Sequence, residues 1–178
     1  MFYYIITKLS IAVIDYYLLL GIYYWYHRFI HLPISGPLYR AHYIGHHKLE
    51  FPLKRIRAKS YYNDGYGGWF KTGGELIFGI PISIVLLLAY QYLQFNNFII
   101  LLADIIGVLF VGDFMHSSYH LTYDATNHPE SLYLHRLIVN TKWFVEYRNL
   151  HDIHHAKYNA NFGFADYTMD KIFGTYIE

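Results

Sequence analysis

The 178-residue sequence has no cysteine, few charged residues and no excess of charge of either sign. The absence of cysteine excludes disulfide bonds, cysteine-ligated zinc and iron–sulfur clusters. Charged residues make up 15% of the chain, against about 25% in an ordinary soluble domain, whereas 54% are apolar. Because 14 Lys and Arg balance 13 Asp and Glu, no basic field favours nucleic acid as a partner. These deficits exclude a disordered chain and a highly charged soluble protein.

Three long apolar runs occupy residues 2–26, 76–95 and 98–114. A helix of about 20 apolar residues crosses a bilayer core of about 30 Å. The first run has neither the basic start nor the small-residue cleavage site of a signal peptide, so we expect it to stay attached. The third run is short, so the second and third form either a full hairpin or a shallower re-entrant pair. We predict an all-α integral membrane protein, with one domain over residues 1–178 and no internal repeats.

The hairpin returns the chain to the side that it left, so every histidine lies on one face of the membrane. Thirteen of the 14 Lys and Arg lie there too, which makes this face cytoplasmic by the positive-inside rule. Five bases fall between Lys48 and Lys59. This basic stretch suits either anionic lipid or the docking of an acidic electron-transfer protein. We expect a cytosolic helical cap that carries a histidine-rich dimetal site.

Ten of the 12 histidines fall into four clusters at helical spacing. They are His27, His31, His42, His46, His47, His116, His120, His151, His154 and His155. Residues four apart share one helix face, so two imidazoles can converge on a single metal. Adjacent histidines diverge by about 100°, so each can serve a different ion. Five imidazoles per ion leave a position open for chemistry, unlike a closed structural zinc site. His128 and His135 are left over.

Imidazole ligands suit zinc, copper, iron and nickel; an oxidising site favours iron, and a hydrolytic one allows zinc. The carboxylate di-iron pattern is missing, because the sequence contains no Glu-x-x-His. Asp113 and Asp152 lie close to the clusters and are candidates to accept the second N–H of a ligand histidine; Asp113 is equally suited to capping a helix. Asp104 interrupts an apolar run, where a charge is costly, so we expect it to face the protein interior or a partner.

Five motifs carry a family resemblance: HRFIH (27–31), LYRAHYIGHHK (38–48), DFMHSSYH (113–120), HDIHH (151–155) and NFGFADYTMDKIFGTY (161–176). With them the chain from Tyr24 onward resembles the fatty acid hydroxylase/sterol desaturase superfamily of integral membrane non-haem di-iron oxygenases. The resemblance implies that the ten clustered histidines form the catalytic centre. It also implies that they hold two iron ions, which zinc can replace, on the cytoplasmic face.

The implied activity is O2-dependent hydroxylation or desaturation of C–H bonds in a sterol or fatty-acyl lipid of the membrane. Electrons would come from a cytochrome b5-type carrier and an NAD(P)H reductase. The implied location is the endoplasmic reticulum in a eukaryote or the inner membrane in a bacterium. Two alternatives stay open: a non-catalytic lipid-binding relative with an intact metal site, and a membrane metal transporter or storage protein. A transporter should place its ligands at mid-membrane, whereas every histidine here lies outside the apolar runs.

Overall fold

The computed structural model describes residues 2–57, 84–89, 91–92, 95–121, 133–164 and 166–178. The named elements of this part are helices, which confirms the all-α prediction for these residues. They are α1 (Phe2–Ile30), α2 (Pro37–Tyr39), a π-helix (Arg40–Glu50), α3 (Phe95–Tyr119), α4 (Tyr133–Ile138), α5 (Lys142–Ala156) and α6 (Thr168–Phe173), with one-turn 3-10 helices at Pro33–Ser35 and Leu53–Arg55.

Helix α1 extends the first apolar run into the first histidine motif. Its most apolar window is only 6% buried inside the protein, whereas the core helix of a soluble protein is mostly buried. Within the described residues, α1 is the one helix that is long and apolar enough to cross a membrane, a test that an N-terminal signal sequence also passes. Its last turn contains His27 and Arg28. The apolar helix therefore leads directly into the first predicted ligands.

Helix α3 joins the third apolar run and the His116 motif in one element. It has 25 residues, whereas the predicted segment has 17, and at 1.5 Å per residue the helix is about 37 Å long. It packs against α1 through a core formed by Leu19, Leu101, Ile105 and Val108. Most of the predicted segment 76–95 lies outside the described residues, although residues 84–89 and 91–92 are helical.

The C-terminal residues pack on the end of α1 that carries the histidines. The ring of Tyr24 stacks on Phe173, with centroids 5.1 Å apart and an interplanar angle of 21°. The Tyr24 hydroxyl is also 2.9 Å from Oγ1 of Thr175. On the other side, Phe114 of α3 and Phe144 of α5 belong to a common core. These contacts join the end of α1 to the C-terminal residues and the end of α3 to α5.

Candidate metal centre

The structure brings the ten clustered histidines together in two groups of five within its described part. Group A is His27, His31, His42, His47 and His154, and group B is His46, His116, His120, His151 and His155. Within each group the candidate ligand nitrogens lie within 4.8 Å of one another. The predicted gathering is therefore present, and metal binding by these residues stays a prediction. His128 and the side chain of His135 lie outside the described part.

Nine of the ten rings are buried, His116 is half-buried, and burial favours the neutral form of the three rings on α5. Loss of hydration lowers the pKa of His154 to about 4. It also holds the pKa values of His151 and His155 well below their usual range, with further lowering from neighbouring histidines. At neutral pH these three rings of α5 are therefore uncharged, the form in which imidazole binds a metal.

Three of the four histidine motifs follow α-helical spacing. His27 and His31 share group A, and His116 with His120, like His151 with His155, share group B. Adjacent histidines separate as expected. His46 lies in group B and its neighbour His47 in group A, whereas His154 lies in group A and its neighbour His155 in group B. The angle of about 100° between successive residues thus lets one helix serve both groups.

The π-helix departs from the α-helical rule. His42 shares group A with His47, five residues later, whereas His46, four residues later, lies in group B. Five residues are about 140° apart around an α-helix, on nearly opposite faces. The wider π-turn, closed here by a 2.8 Å bond from the Phe51 N–H to the His46 carbonyl, brings a residue five positions on to the same side. The four-residue rule therefore does not hold between His42 and His46.

The spacing of the Nε2 atoms matches that of ligands around one ion. In group B the Nε2 atom of His151 lies 2.9 Å from that of His120 and 3.1 Å from that of His155. The Nε2 atoms of His116 and His46 are 3.0 Å apart. Ligands about 2.1 Å from a shared ion lie about 3.0 Å apart at right angles and about 3.4 Å apart in a tetrahedron. In group A three such distances run from 2.9 to 3.3 Å.

Two histidines of group B donate hydrogen bonds through Nδ1, so their unprotonated Nε2 atoms point into the group. Nδ1 of His120 donates to the Ile56 carbonyl at 2.9 Å, and Nδ1 of His155 donates to the Phe51 carbonyl at 3.1 Å. Both Nε2 atoms are then unprotonated, and both face Nε2 of His151. A neutral His151 carries at most one proton there, so it satisfies only one of them. A cation between the three nitrogens would satisfy all of them.

Group A contains a buried acceptor without a partner. Nδ1 of His154 donates to the Ala160 carbonyl at 2.7 Å, and its Nε2 is buried with no hydrogen-bond partner. Nδ1 of His27 donates to the Phe162 carbonyl at 2.7 Å, which leaves its Nε2 unprotonated as well. An unsatisfied buried acceptor is costly, and a bound cation removes that cost. The donor sets of both groups therefore fit metal ions.

Asp170, to which the sequence pattern assigns no role, organises the loop beside group A. Its buried carboxylate accepts the backbone N–H groups of Phe162 and Gly163, each at 2.8 Å, and the hydroxyl of Thr175 at 2.7 Å. Burial raises the pKa of Asp170, and these hydrogen bonds oppose the rise. The loop presents the Phe162 carbonyl to His27. The one sign of this role in the sequence is that Asp170 lies in the closing motif (161–176), which served only to support the family resemblance.

Of the two predicted orienting carboxylates, Asp152 is the one whose side chain the structure describes, and its contacts differ from the expectation. One oxygen of Asp152 accepts a bond from Arg57, and the other has no hydrogen-bond partner. Asp152 therefore does not accept the N–H of a histidine directly. It follows His151 on α5, so helical geometry turns it about 100° away from that ring. The side chain of Asp113 lies outside the described part, and Asp104 lines a cavity.

The cavity, of about 220 Å³, lies between α1 and α3 beside group A. Phe162 and Phe164 form the wall between this cavity and the histidines. The ring of Phe164 stacks on His27 at 4.7 Å and contacts His116 at 4.5 Å, so it touches both groups. Gly107 of α3 also lines the cavity, and a Cβ added there meets no atom within 4 Å.

No protein-family model, curated protein or solved structure matches the chain. The molecule is a helical protein with two buried histidine groups suitable for a dimetal site. Its family and chemistry are accordingly matters of proposal.

Proposed function

We propose that the protein is a member of the fatty acid hydroxylase/sterol desaturase superfamily and oxidises C–H bonds of a sterol or fatty-acyl membrane lipid with O2. The observation that carries the proposal is the pair of five-imidazole groups with converging Nε2 atoms. Five ligands leave a sixth position of an octahedral ion free, whereas a structural zinc site closes at four. Ligands of imidazole alone also suit iron.

When bound, a pair of iron ions would supply the O2 chemistry that protein side chains lack. The chain itself supplies a rigid, neutral and dry pocket. His27 and His151 have no exposed surface, and backbone carbonyls orient several of the rings. Because these hydrogen bonds orient the rings, the ligand nitrogens are already in place before an ion binds.

A membrane location follows most simply from α1. Its apolar surface is exposed rather than packed in a core, and its last turn supplies His27. Cleavage after Ile30 would remove His27 from group A, which favours a retained anchor over a cleaved leader. In the proposed arrangement the histidines face the cytoplasm, in the endoplasmic reticulum of a eukaryote or the inner membrane of a bacterium.

The cavity between α1 and α3 is the proposed binding site for the lipid substrate. Its volume of about 220 Å³ is below the roughly 300–1,000 Å³ typical of sites for drug-sized ligands, which suits a single alkyl chain. Val111 lines it and is 43% exposed, so the cavity reaches the surface of α3. Phe164 separates the cavity from both groups, and the proposed chain would lie against this ring.

The proposed electron donor is a cytochrome b5-type protein supplied by an NAD(P)H reductase. Within the described part of the basic stretch, Lys48, Lys54 and Arg55 are exposed. They provide positive charge for an acidic donor or for anionic lipid beside the histidines.

A metal transporter fits less well. A transport path needs ligands along the membrane-crossing part of its helices. Here His27 and His116 lie in the last turns of α1 and α3, at the ends of the apolar runs. The oxidoreductase proposal accounts for this placement.

Lipid profiling of cells that express wild type or His46→Ala tests the function. We expect a new oxygenated or unsaturated lipid with the wild type, and its loss in the variant because group B lacks a ligand. His128→Ala, a histidine outside both predicted sets, should keep the product. If wild type and His46→Ala give the same lipids with O2 and reductant supplied, the enzyme proposal fails.

Gly107→Leu tests the use of the cavity. A larger side chain fits this position sterically and fills the cavity, so we expect product to fall at least about tenfold while metal content is unchanged. Ile106→Leu, at a neighbouring residue that is 57% exposed, is the matched control and should retain activity. Full activity in Gly107→Leu would show that the substrate binds elsewhere.

A further inference from the structure

The segment from Phe51 to Arg57 supplies two backbone acceptors to group B. The Phe51 carbonyl accepts from His155 and the Ile56 carbonyl accepts from His120. A one-turn helix, Leu53–Arg55, lies between these acceptors and fixes their separation. The orientation of both rings, and with it the direction of their Nε2 atoms, depends on where this segment sits.

An ion pair fastens the segment to α5. The guanidinium of Arg57, which directly follows Ile56, donates to the carboxylate of Asp152. Asp152 directly follows His151, so the pair joins the acceptor segment to the helix that carries group B ligands. The side chains of Arg57 and Asp152 are 20% and 33% exposed, so water screens the pair only in part.

Group A is oriented by a different piece of chain. Its carbonyl acceptors are Phe162 and Ala160, in the loop that Asp170 holds through the N–H groups of Phe162 and Gly163. None of these four bonds involves the segment that ends at Arg57. The two groups therefore have separate supports, although their rings touch.

We propose that Arg57 and Asp152 are positioning residues for the metal of group B alone, acting through the Phe51 and Ile56 carbonyls. The inference rests on the proposed two-metal centre. Loss of the ion pair frees the segment, lets His120 and His155 rotate, and leaves group A supported by its own loop. Outer partners of ligand histidines are typically worth 10- to 100-fold in metal affinity.

Cobalt(II) titration of two single-group proteins, followed by absorption, tests the inference. The double variant His31→Ala/His47→Ala keeps group B intact, and His46→Ala/His116→Ala keeps group A intact. Adding Asp152→Asn should weaken cobalt(II) binding about 10- to 100-fold in the first protein and leave the second within about twofold. Exchanging the pair, with Arg57→Asp and Asp152→Arg together, should restore part of the affinity.

The mirror experiment uses the support of group A. Asp170→Asn should weaken cobalt(II) binding in the group A protein and spare the group B protein. Thr175→Val removes a single bond to the same carboxylate and serves as the milder variant if Asp170→Asn does not fold. An equal effect of Asp152→Asn on both proteins, or no effect on either, overturns the positioning role. Failure of the unmodified chain to bind two cobalt(II) ions would instead contradict the proposed function.

Discussion

Replacing His151 with alanine is expected to lower the metal content from two ions per chain to about one. His151 has no exposed surface, and its Nε2 lies within 3.1 Å of the Nε2 atoms of His120 and His155. Without it, two unprotonated nitrogens face a space that no ligand fills. Product formation should fall to background, since the proposed chemistry needs both ions. Metal analysis of detergent-purified protein and lipid profiling together measure the effect.

His135→Ala is the control for this change, because His135 belongs to neither predicted set. It should retain two ions and full product formation. Two ions in His151→Ala would show that group B does not hold a metal through this ring. Since zinc can replace iron during handling, total metal is the quantity to count.

Among the glycines that the structure describes, Gly163 is the one whose replacement with alanine is expected to be most damaging. A Cβ at this position would clash with the Asp166 carbonyl oxygen and would lie 3.1 Å from Oδ2 of Asp170. Because the nearest atom is backbone, the loop itself must move. Overpacking costs typically reach about 3 kcal/mol, which lowers the unfolding midpoint of a chain of this size by about 6–12 °C.

The same movement displaces the Phe162 carbonyl, which accepts from His27, so Gly163→Ala should lose group A metal before group B metal. Thermal unfolding in detergent and cobalt(II) titration measure the two effects. Gly107→Ala is the matched control, since a Cβ there meets nothing within 4 Å and alanine favours the helix. Equal stability of the two variants would contradict the close packing of the closing loop.

Much of the candidate site could be predicted from residue types and spacing. Imidazoles four residues apart on a helix have to share a face, and adjacent ones have to diverge. The spacing predicted that His154 and His155 can serve different ions, and the structure places His155 with His151. The four-residue rule failed at His42, because the choice between α- and π-winding depends on how the whole segment packs, and neither winding has a distinct pattern in these residues.

The backbone carbonyls that orient the histidines of each group could not be predicted from the sequence. A backbone carbonyl has no residue type, so nothing in the letters shows that Ile56 or Ala160 would accept from a histidine. Asp152 illustrates the same limit. Its place beside His151 made it a candidate to accept the N–H of a ligand histidine, whereas the structure pairs it with Arg57, 95 residues away in the chain.

The sequence by itself determined that the described part of the chain is helical, that two of its apolar runs lead into histidines, and that the clustered histidines have the spacing of metal ligands. These properties depend on local periodicity and hydropathy, which residue order alone contains. Only the tertiary structure decided how ten rings divide into two groups, which carbonyls orient them, and where a cavity meets them. Those features depend on contacts between distant segments, and their geometry is set by packing.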